Sequence, residues 1–121
     1  MSDYKLGVME LRFADLIWTH APIASGDLVK LCSQELEWKK STTYTMLNRL
    51  CDRGIFQNVD HQISPILSRQ AFQALQSEEF IEETFDGSLP QFLTAFASRR
   101  RLTEEEIAEL QALIAQNGGK A

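Results

Sequence analysis

Apolar residues recur at helical spacing from the start of the chain. Near the N-terminus, five of them fall at relative positions 0, 3, 7, 10 and 11, which places them on one face of a helix. These residues are Leu6, Met9, Phe13, Leu16 and Ile17. The sequence His20-Ala21-Pro22 ends this helix after Trp18, and Ser25-Gly26-Asp27 supplies polar residues that can begin a second, short helix. Two helices are therefore predicted at the beginning of the chain.

From residue 40 onward the pattern predicts a third helix and then a hairpin. The helix begins near Lys40-Ser41-Thr42 and ends at Gly54, because glycine suits the left-handed position that follows many helices. Beyond Gly54 the apolar residues alternate with polar ones, and Asp60-His61 is a candidate turn between two short strands. Pro65 ends the second strand.

Three further helices are predicted after the hairpin, and each has a residue that can cap its N-terminus. Ser68 and Ser88 precede the fourth and fifth helices, and Gly87 separates these two helices. The sixth helix has the strongest start signal, because Thr103 and Glu106 form a T-x-x-E capping box. The predicted fold class is therefore mainly α with a small β-hairpin.

Length and composition limit the classes of protein that fit this pattern. A chain of 121 residues holds one compact domain, or a small domain with an oligomerisation segment, which excludes a large multi-domain enzyme. A hydrophobic content of 44% is enough to form a buried core. The chain has no apolar run long enough to span a bilayer and no secretory signal pattern, so we expect a cytoplasmic protein without membrane insertion.

Charge is distributed unevenly along the chain, and the distribution changes what the net charge implies. The overall value of −5 argues against nucleic-acid binding, because such domains commonly carry a basic excess. Residues 38–54, however, hold four basic residues and one acidic residue, a local charge of +3. Residues 66–121 hold five basic and nine acidic residues, a local charge of −4. A basic surface is therefore predicted around the third helix.

Few residues in the sequence suit catalysis or metal binding. His20 and His61 are the only histidines, and both fall in predicted turns with no evident partner set. Cys32 and Cys51 lie on separate predicted helices outside any CxxC motif, so buried free thiols are expected. The acidic run at residues 104–106 is better explained by a helix N-terminus than by a metal site. We expect no catalysis, no metal and no cofactor.

The second and third helices, joined by Glu37-Trp38-Lys39-Lys40, form a candidate helix-turn-helix, and the hairpin would be its wing. The candidate recognition helix spans residues 41–53. Its inward residues are Thr43, Met46, Leu47 and Leu50, and its outward residues are Thr42, Tyr44, Thr45, Asn48, Arg49 and Asp52. The outward side chains can reach base edges or phosphates, but an ordinary solvated helix face has the same pattern. Periodicity alone leaves both interpretations open.

Three segments carry a more specific combination of motifs. Residues 10–18 read ELRFADLIW, and residues 38–50 read WKKSTTYTMLNRL, which contains T-x-x-x-L-x-R-L and is followed by Arg53-Gly54. Residues 102–110 fit L-[ST]-x-x-E-I-x-x-L at the start of the last helix. In these motifs, and over nearly its whole length, the chain resembles the penicillinase repressor family of bacterial repressors.

This resemblance implies a winged-helix DNA-binding domain at residues 1–67 and a helical dimerisation domain of three helices at residues 68–121. It implies a homodimeric transcriptional repressor that binds double-stranded DNA at an inverted-repeat operator. The candidate DNA-binding residues are Lys39, Lys40, Ser41, Thr42, Tyr44, Thr45, Asn48, Arg49 and Arg53. The candidate dimerisation residues are Phe80, Phe85, Leu89, Phe92, Phe96, Leu110 and Ile114.

The wing and the fifth helix need separate interpretation. The wing tip, residues 58–62, has no Lys or Arg where the family commonly has basic residues, so little affinity is expected from it unless His61 is protonated. In β-lactam-responsive members a protease cuts the dimerisation domain, and the matching bond is Ala95-Phe96, with a membrane sensor protease as the implied partner. Phe96 also completes an apolar stripe on the fifth helix, so packing alone would explain it.

Two other classes of function remain open. A winged-helix protein-interaction module without sequence-specific DNA binding would suit the overall acidity and the wing without cations. A small enzyme would need His20 or His61 as a working group, and the sequence indicates no substrate.

Overall fold

The computed structural model describes residues 4–118, which form six helices and three short strands. In chain order these are α1 (Val8–His20), β1 (Ile23–Ala24), α2 (Ser25–Leu36), α3 (Lys40–Asp52), β2 (Phe56–Val59), β3 (Gln62–Pro65), α4 (Arg69–Phe85), α5 (Leu89–Arg99) and α6 (Glu104–Asn117). The predicted fold class, mainly α with a small hairpin, is confirmed. Residues 1–3 and 119–121, at the outer ends of the two predicted domains, lie outside the described residues.

Side-chain caps begin three of the helices at the predicted positions. The hydroxyl of Ser68 accepts a backbone N–H of the first turn of α4 at 3.0 Å, and Ser88 does the same for α5 at 3.1 Å. At α6 the hydroxyl of Thr103 accepts the backbone N–H of Glu106 at 3.0 Å. The Glu106 carboxylate accepts the backbone N–H of Thr103 at 2.9 Å in return, which completes the predicted capping box.

The antiparallel sheet contains one strand more than the predicted hairpin. β2 and β3 form that hairpin, and β1 pairs with the other edge of β3, with Ile23 opposite Ile63. β1 has two residues, too few to show an alternating pattern in the sequence. It leads directly into α2, whose first residue, Ser25, donates its backbone N–H to the carbonyl of His61 at 2.8 Å. The start of α2 is therefore fixed to the wing turn by backbone pairing.

The turn between β2 and β3 consists of Asp60 and His61, as predicted. Both residues have positive φ, 51° and 64°, in the left-handed region. Two-residue hairpin turns with this geometry match the right-handed twist of the flanking strands, and they favour Gly, Asn or Asp over most other residues. The short turn limits how far the wing extends from the sheet.

The core lies in the part of the chain up to α4. Its buried apolar residues come from all four of the first helices and from the sheet: Phe13, Ala14, Ile17, Leu28, Cys32, Leu36, Leu47, Leu50, Ile55, Phe56, Ile63 and Phe72. Met9 shares the predicted apolar face of α1 but is not part of this core. Met9, in the first turn of α1, is 40% exposed, and its sulfur accepts a hydrogen bond from Arg12 at 3.9 Å, while Ala14 is buried instead.

The chain divides into two compact units after Phe80, within α4. The first contains α1 to α3, the sheet and the beginning of α4, and the second contains the end of α4, α5 and α6. The domain boundary predicted after residue 67 stays a prediction, since α4 begins in the first unit and ends in the second. In the second unit none of residues 81–118 is fully buried.

Candidate nucleic-acid interface

A short, well-anchored turn joins α2 to α3. Glu37 ends α2 in the left-handed conformation with φ 57°, and its backbone N–H is bonded to the carbonyl of Cys32. The backbone N–H of Trp38 donates to the same carbonyl at 3.3 Å, and the Trp38 ring packs on Phe13 of α1 with 5.2 Å between ring centroids. The turn is therefore held by α2 and by α1.

One face of α3 is fixed in the core. Thr43, Leu47 and Leu50 are buried, and Met46 is partly buried beside them, as predicted from the spacing. Thr43 donates its hydroxyl hydrogen to the carbonyl of Lys39 at 3.2 Å, so its polar group is satisfied within the helix. Because three side chains along the helix are locked in the core, the opposite face has a defined direction.

The opposite face of α3 carries the predicted DNA-binding residues. Seven of the nine are exposed: Lys39, Lys40, Ser41, Thr42, Thr45, Asn48 and Arg49. Tyr44 is partly buried and packs against the core, and Arg53, at the C-terminal end of the helix, is also partly buried. Seven of the nine candidates lie within α3, and Lys39 and Arg53 are its N-cap and C-cap residues. The chain between residues 39 and 51 contains no acidic residue that would oppose a phosphate.

The N-terminus of α3 has free donors for an anion. Lys39 precedes the helix and makes no side-chain cap, and no acidic residue lies in the first turn. The first backbone N–H groups of a helix have no partner inside the helix, and the helix dipole favours negative charge at this end. Lys39 and Lys40, both exposed, add two positive charges there. This end of α3 has the chemistry of a phosphate-binding site.

The C-terminal half of α3 has an acidic neighbour that the sequence analysis did not identify. Oε2 of Glu10, on α1, lies 3.5 Å from Nη1 of Arg49 and 3.9 Å from Nη1 of Arg53. The side chains of Arg49 and Arg53 are 50% and 28% exposed, whereas that of Glu10 is 16% exposed. The three residues meet only because α1 packs beside α3, so no local sequence pattern could have revealed the cluster.

The wing is neutral except at its turn. The side chains of Asn58, Val59 and Gln62 are exposed, and Gln57 donates from its amide to the hydroxyl of Ser64 at 3.2 Å across the hairpin. No Lys or Arg occurs between residues 54 and 68. The wing therefore presents amide and apolar groups, with Asp60 at the tip.

Trp18 secures the segment that follows the wing. Its indole N–H donates to the carbonyl of Leu67 at 2.9 Å, and its ring packs between Phe56 and Phe72 at centroid distances of 5.3 and 5.4 Å. The guanidinium of Arg69 lies 5.7 Å from the centroid of the Trp18 ring. These contacts hold the end of the wing and the start of α4 against α1.

The cysteines do not form a reactive site. Burial raises the pKa of the Cys32 thiol, and a hydrogen bond with Thr43 opposes that rise in part. Burial and the nearby charge of Asp52 raise the pKa of Cys51. Both groups are therefore protonated near neutral pH, whereas nucleophilic cysteines are thiolates. Within residues 4–118, no cluster of three or more His, Cys, Asp or Glu side chains is arranged to hold a metal ion.

The predicted dimerisation residues are apolar groups that are at least partly exposed. Phe80 is the last residue of the first unit, and the other six belong to the second. Phe80, Leu89, Phe96 and Ile114 are between 41% and 60% exposed, and Phe85, Phe92 and Leu110 are partly buried. A groove between α5 and α6 is lined mainly by Phe92, Leu93, Phe96, Leu102, Leu110 and Leu113. At its edge Arg100 donates two hydrogen bonds to Glu106, at 2.6 and 3.1 Å, and its guanidinium lies 4.9 Å from the Phe96 ring centroid.

The candidate cleavage bond, Ala95-Phe96, lies inside α5, which runs from Leu89 to Arg99. Both residues are exposed on the helix surface. Phe96 contacts the ring of Phe92 at a centroid distance of 6.2 Å, which agrees with the packing role proposed for it. Cleavage at this bond stays a prediction.

No helix among the described residues has both the length and the apolar character needed to cross a membrane.

Comparison with known proteins identifies the family. The family model described as penicillinase repressor matches residues 6–116. The penicillinase repressor of Bacillus licheniformis is 26% identical to this chain over 97% of the chain and 91% of its own length. The match spans both compact units and includes α3 and the α6 capping box. The resemblance seen in the sequence motifs is therefore confirmed, and the chain belongs to the penicillinase repressor family.

Proposed function

We propose that the protein is a homodimeric, cytoplasmic repressor that blocks transcription by binding an inverted-repeat operator through α3. Membership of a family of transcriptional repressors supports the repressor role and gives no support for an enzyme. The observation that carries the sequence-specific part is the exposed face of α3. It combines two lysines at the helix N-terminus with a run of short polar side chains and no acidic residue before Asp52.

The two parts of α3 would have different tasks. Lys39, Lys40 and the first backbone N–H groups of the helix suit a phosphate, which fixes the position of the helix but carries no sequence information. Tyr44 and Thr45 would then lie nearer the base edges, where their groups can contact a thymine methyl or accept and donate hydrogen bonds. Asn48 can pair with adenine through both of its amide groups. Sequence choice would therefore fall to residues 44, 45 and 48.

Dimerisation would make the operator an inverted repeat. A two-fold axis repeats each recognition helix on the DNA, and helix-turn-helix dimers bind half-sites one turn apart, about 34–36 Å. The exposed apolar residues of the second unit provide a surface that a second copy of the chain would cover, because such patches are seldom left in water.

The experiment is fluorescence anisotropy with labelled DNA from the region upstream of the protein's own gene, at several salt concentrations, against a scrambled duplex. We expect preference for an inverted repeat and a slope that reports the number of phosphates neutralised. Tyr44→Ala should reduce binding to the operator by about 5- to 160-fold, corresponding to about 1–3 kcal/mol for a base contact, and should reduce binding to scrambled DNA much less.

Arg99→Ala is the matched control for nonspecific charge effects, since Arg99 is an exposed residue of α5 in the other unit. It should leave operator binding unchanged. Equal, weak binding to both duplexes would contradict the proposal. It would favour the second candidate function, a winged-helix module that recognises a protein, which the absence of Lys and Arg from the wing and the net charge of −5 support.

A repressor of this kind would also need a way to be released from its operator. A membrane sensor protease acting at Ala95-Phe96 is the mechanism that the family resemblance implies. Incubation with such a protease and mass spectrometry of the products would locate the bond. An intact chain that still loses operator binding when an inducer is added would contradict cleavage as the release step.

A further inference from the structure

A single carboxylate serves two arginines at the C-terminal half of α3. Oε1 of Glu10 accepts the backbone N–H of Gly7 at 3.0 Å, in the capping contact that begins α1. Oε2 points the other way, toward Arg49 and Arg53 at 3.5 and 3.9 Å. Because one oxygen is held by the backbone, the direction of the other is fixed. The contact to α3 is therefore built into the start of α1.

The surroundings of Oε2 distinguish the Glu10 carboxylate from an exposed one. The atom is almost completely removed from solvent, and none of residues 4–118 donates a hydrogen bond to it. A carboxylate oxygen without water or a donor loses solvation free energy, and here the nearby compensation comes from the two guanidinium groups. Glu10 is therefore coupled electrostatically to α3 more closely than an exposed acidic residue would be.

The two arginines are not equivalent. Arg53 has a second contact, from Nη1 to the carbonyl of Lys5 at 3.4 Å, and only 28% of its side chain is exposed. Arg49 is 50% exposed and lies within α3, one turn beyond Thr45. Of the pair, Arg49 is the residue that can meet a phosphate, and Arg53 is directed to the segment before α1.

We propose that Glu10 is the internal counter-ion of the recognition helix and lowers the contribution of Arg49 to DNA binding. This inference rests on the proposed function. Around α3 the four cations and Asp52 give a charge of +3, and Glu10 reduces it to +2. A phosphate that approaches Arg49 must share it with a carboxylate that cannot turn away. Glu10 thereby reduces the part of the affinity that does not depend on DNA sequence.

The test is Glu10→Gln in the full chain, measured by anisotropy on operator and scrambled DNA over a range of salt concentrations. Glutamine keeps the shape and the oxygen that accepts from Gly7, and it removes the charge. We expect binding to tighten about threefold per subunit on both duplexes, because Arg49 is half exposed and solvent screens its charge. The logarithmic salt slope should steepen by about 0.9 per subunit, the value for one additional neutralised phosphate.

Two controls separate a specific pair from a general charge effect. Asp52→Asn removes the same charge from α3 itself, so its effect measures the contribution of the overall field. Arg49→Ala combined with Glu10→Gln tests whether Glu10 acts through Arg49. The gain in DNA affinity from Glu10→Gln should vanish when Arg49 is absent. Thermal unfolding of each variant reports its folding. If Glu10→Gln does not fold, Arg49→Ala alone keeps the inference testable, because an arginine already paired with Glu10 should contribute less than about 0.9 to the logarithmic salt slope.

The outcomes are distinct. Tighter binding and a steeper slope that disappear in the Arg49→Ala background support the inference. An unchanged slope, an effect no larger than that of Asp52→Asn, or a gain that persists without Arg49 would overturn it while wild-type DNA binding stands. Wild-type protein without salt-dependent DNA binding would overturn the proposed function, and this inference with it.

Discussion

The two compact units differ in whether their own residues complete a core. In the first unit, four helices and a sheet enclose apolar side chains such as Phe13, Leu47 and Phe56, which have no exposed surface. In the second unit, none of residues 81–118 is fully buried, and Leu89 and Ile114 expose more than half of their surface. Fewer side chains are available there, and the end of α4, α5 and α6 provide no sheet to cover their apolar faces.

This difference separates two sources of stability. The first unit is stabilised by burial within one chain, which does not depend on protein concentration. The second unit keeps exposed apolar surface, which a second copy of the chain would cover if the proposed dimer forms, and its stability should then depend on concentration. Three substitutions test this contrast, and they are ordered from the largest expected effect to the smallest.

Phe13→Ala should have the largest effect, because Phe13 is completely buried and its ring packs on Trp38 of the helix-turn-helix. We expect a loss of about 3–5 kcal/mol in the free energy of unfolding, measured by urea denaturation. Val8→Ala on the same helix, at a position that is 78% exposed, should change it by about 0.5 kcal/mol or less. Similar losses for both variants would contradict the assignment of the core to the first unit.

Ile114→Asp should weaken self-association without unfolding the first unit. Ile114 is 60% exposed in one chain, and a carboxylate there would be buried in both copies at the proposed interface. We expect at least about 2 kcal/mol weaker dimerisation, about 30-fold in Kd, by analytical ultracentrifugation. Val8→Asp places the same charge on an exposed apolar position of the first unit and should leave the dimer intact. Equal Kd values for the two variants would place the interface elsewhere.

The smallest effect concerns the ion pair at the edge of the α5–α6 groove. Hydrogen bonds from Arg100 and then from the backbone of Thr103 lower the pKa of Glu106 to about 2. A lowered pKa in the folded state stabilises the protein above the ordinary carboxyl pKa of about 4.3, and this contribution is lost as pH falls toward about 2.

The measurement is the Tm of the wild-type protein and of Glu106→Gln between pH 7 and pH 2. The difference in Tm between the two proteins should be constant down to about pH 4.5 and should decrease below it. The difference should be small, because the side chains of Arg100 and Glu106 are both substantially exposed. A difference that persists at pH 2 would mean that shape, and not charge, determines the role of Glu106.

Local signals accounted for most of the fold. The caps at Ser68, Ser88 and Thr103 act through residues three positions away, so a short window of sequence contains all the partners. The inward face of α3 was also predictable, because Thr43, Leu47 and Leu50 recur at the helical period. The same period placed the candidate recognition residues on the opposite face.

Contacts between distant segments were not predictable in this way. β1 has only two residues and depends on its pairing with β3, so an alternation of polar and apolar residues could not predict it. Met9 has the spacing of a core residue, but it lies in the first turn of α1 and remains exposed. The meeting of Glu10 with Arg49 requires that α1 and α3 be packed together first. These contacts are properties of the tertiary structure. The charge counted over residues 38–54 could not include Glu10, because Glu10 lies outside that part of the sequence.

The division of α3 into a buried and an exposed face also bears on how such repressors diverge. Thr43, Leu47 and Leu50 hold the helix in place, whereas exposed positions such as Thr45 and Asn48 take no part in the core. Substitutions at exposed positions usually change stability by about 0.5 kcal/mol or less. If these positions read the operator, a duplicated gene could acquire a new target sequence by single substitutions, and every intermediate would remain folded.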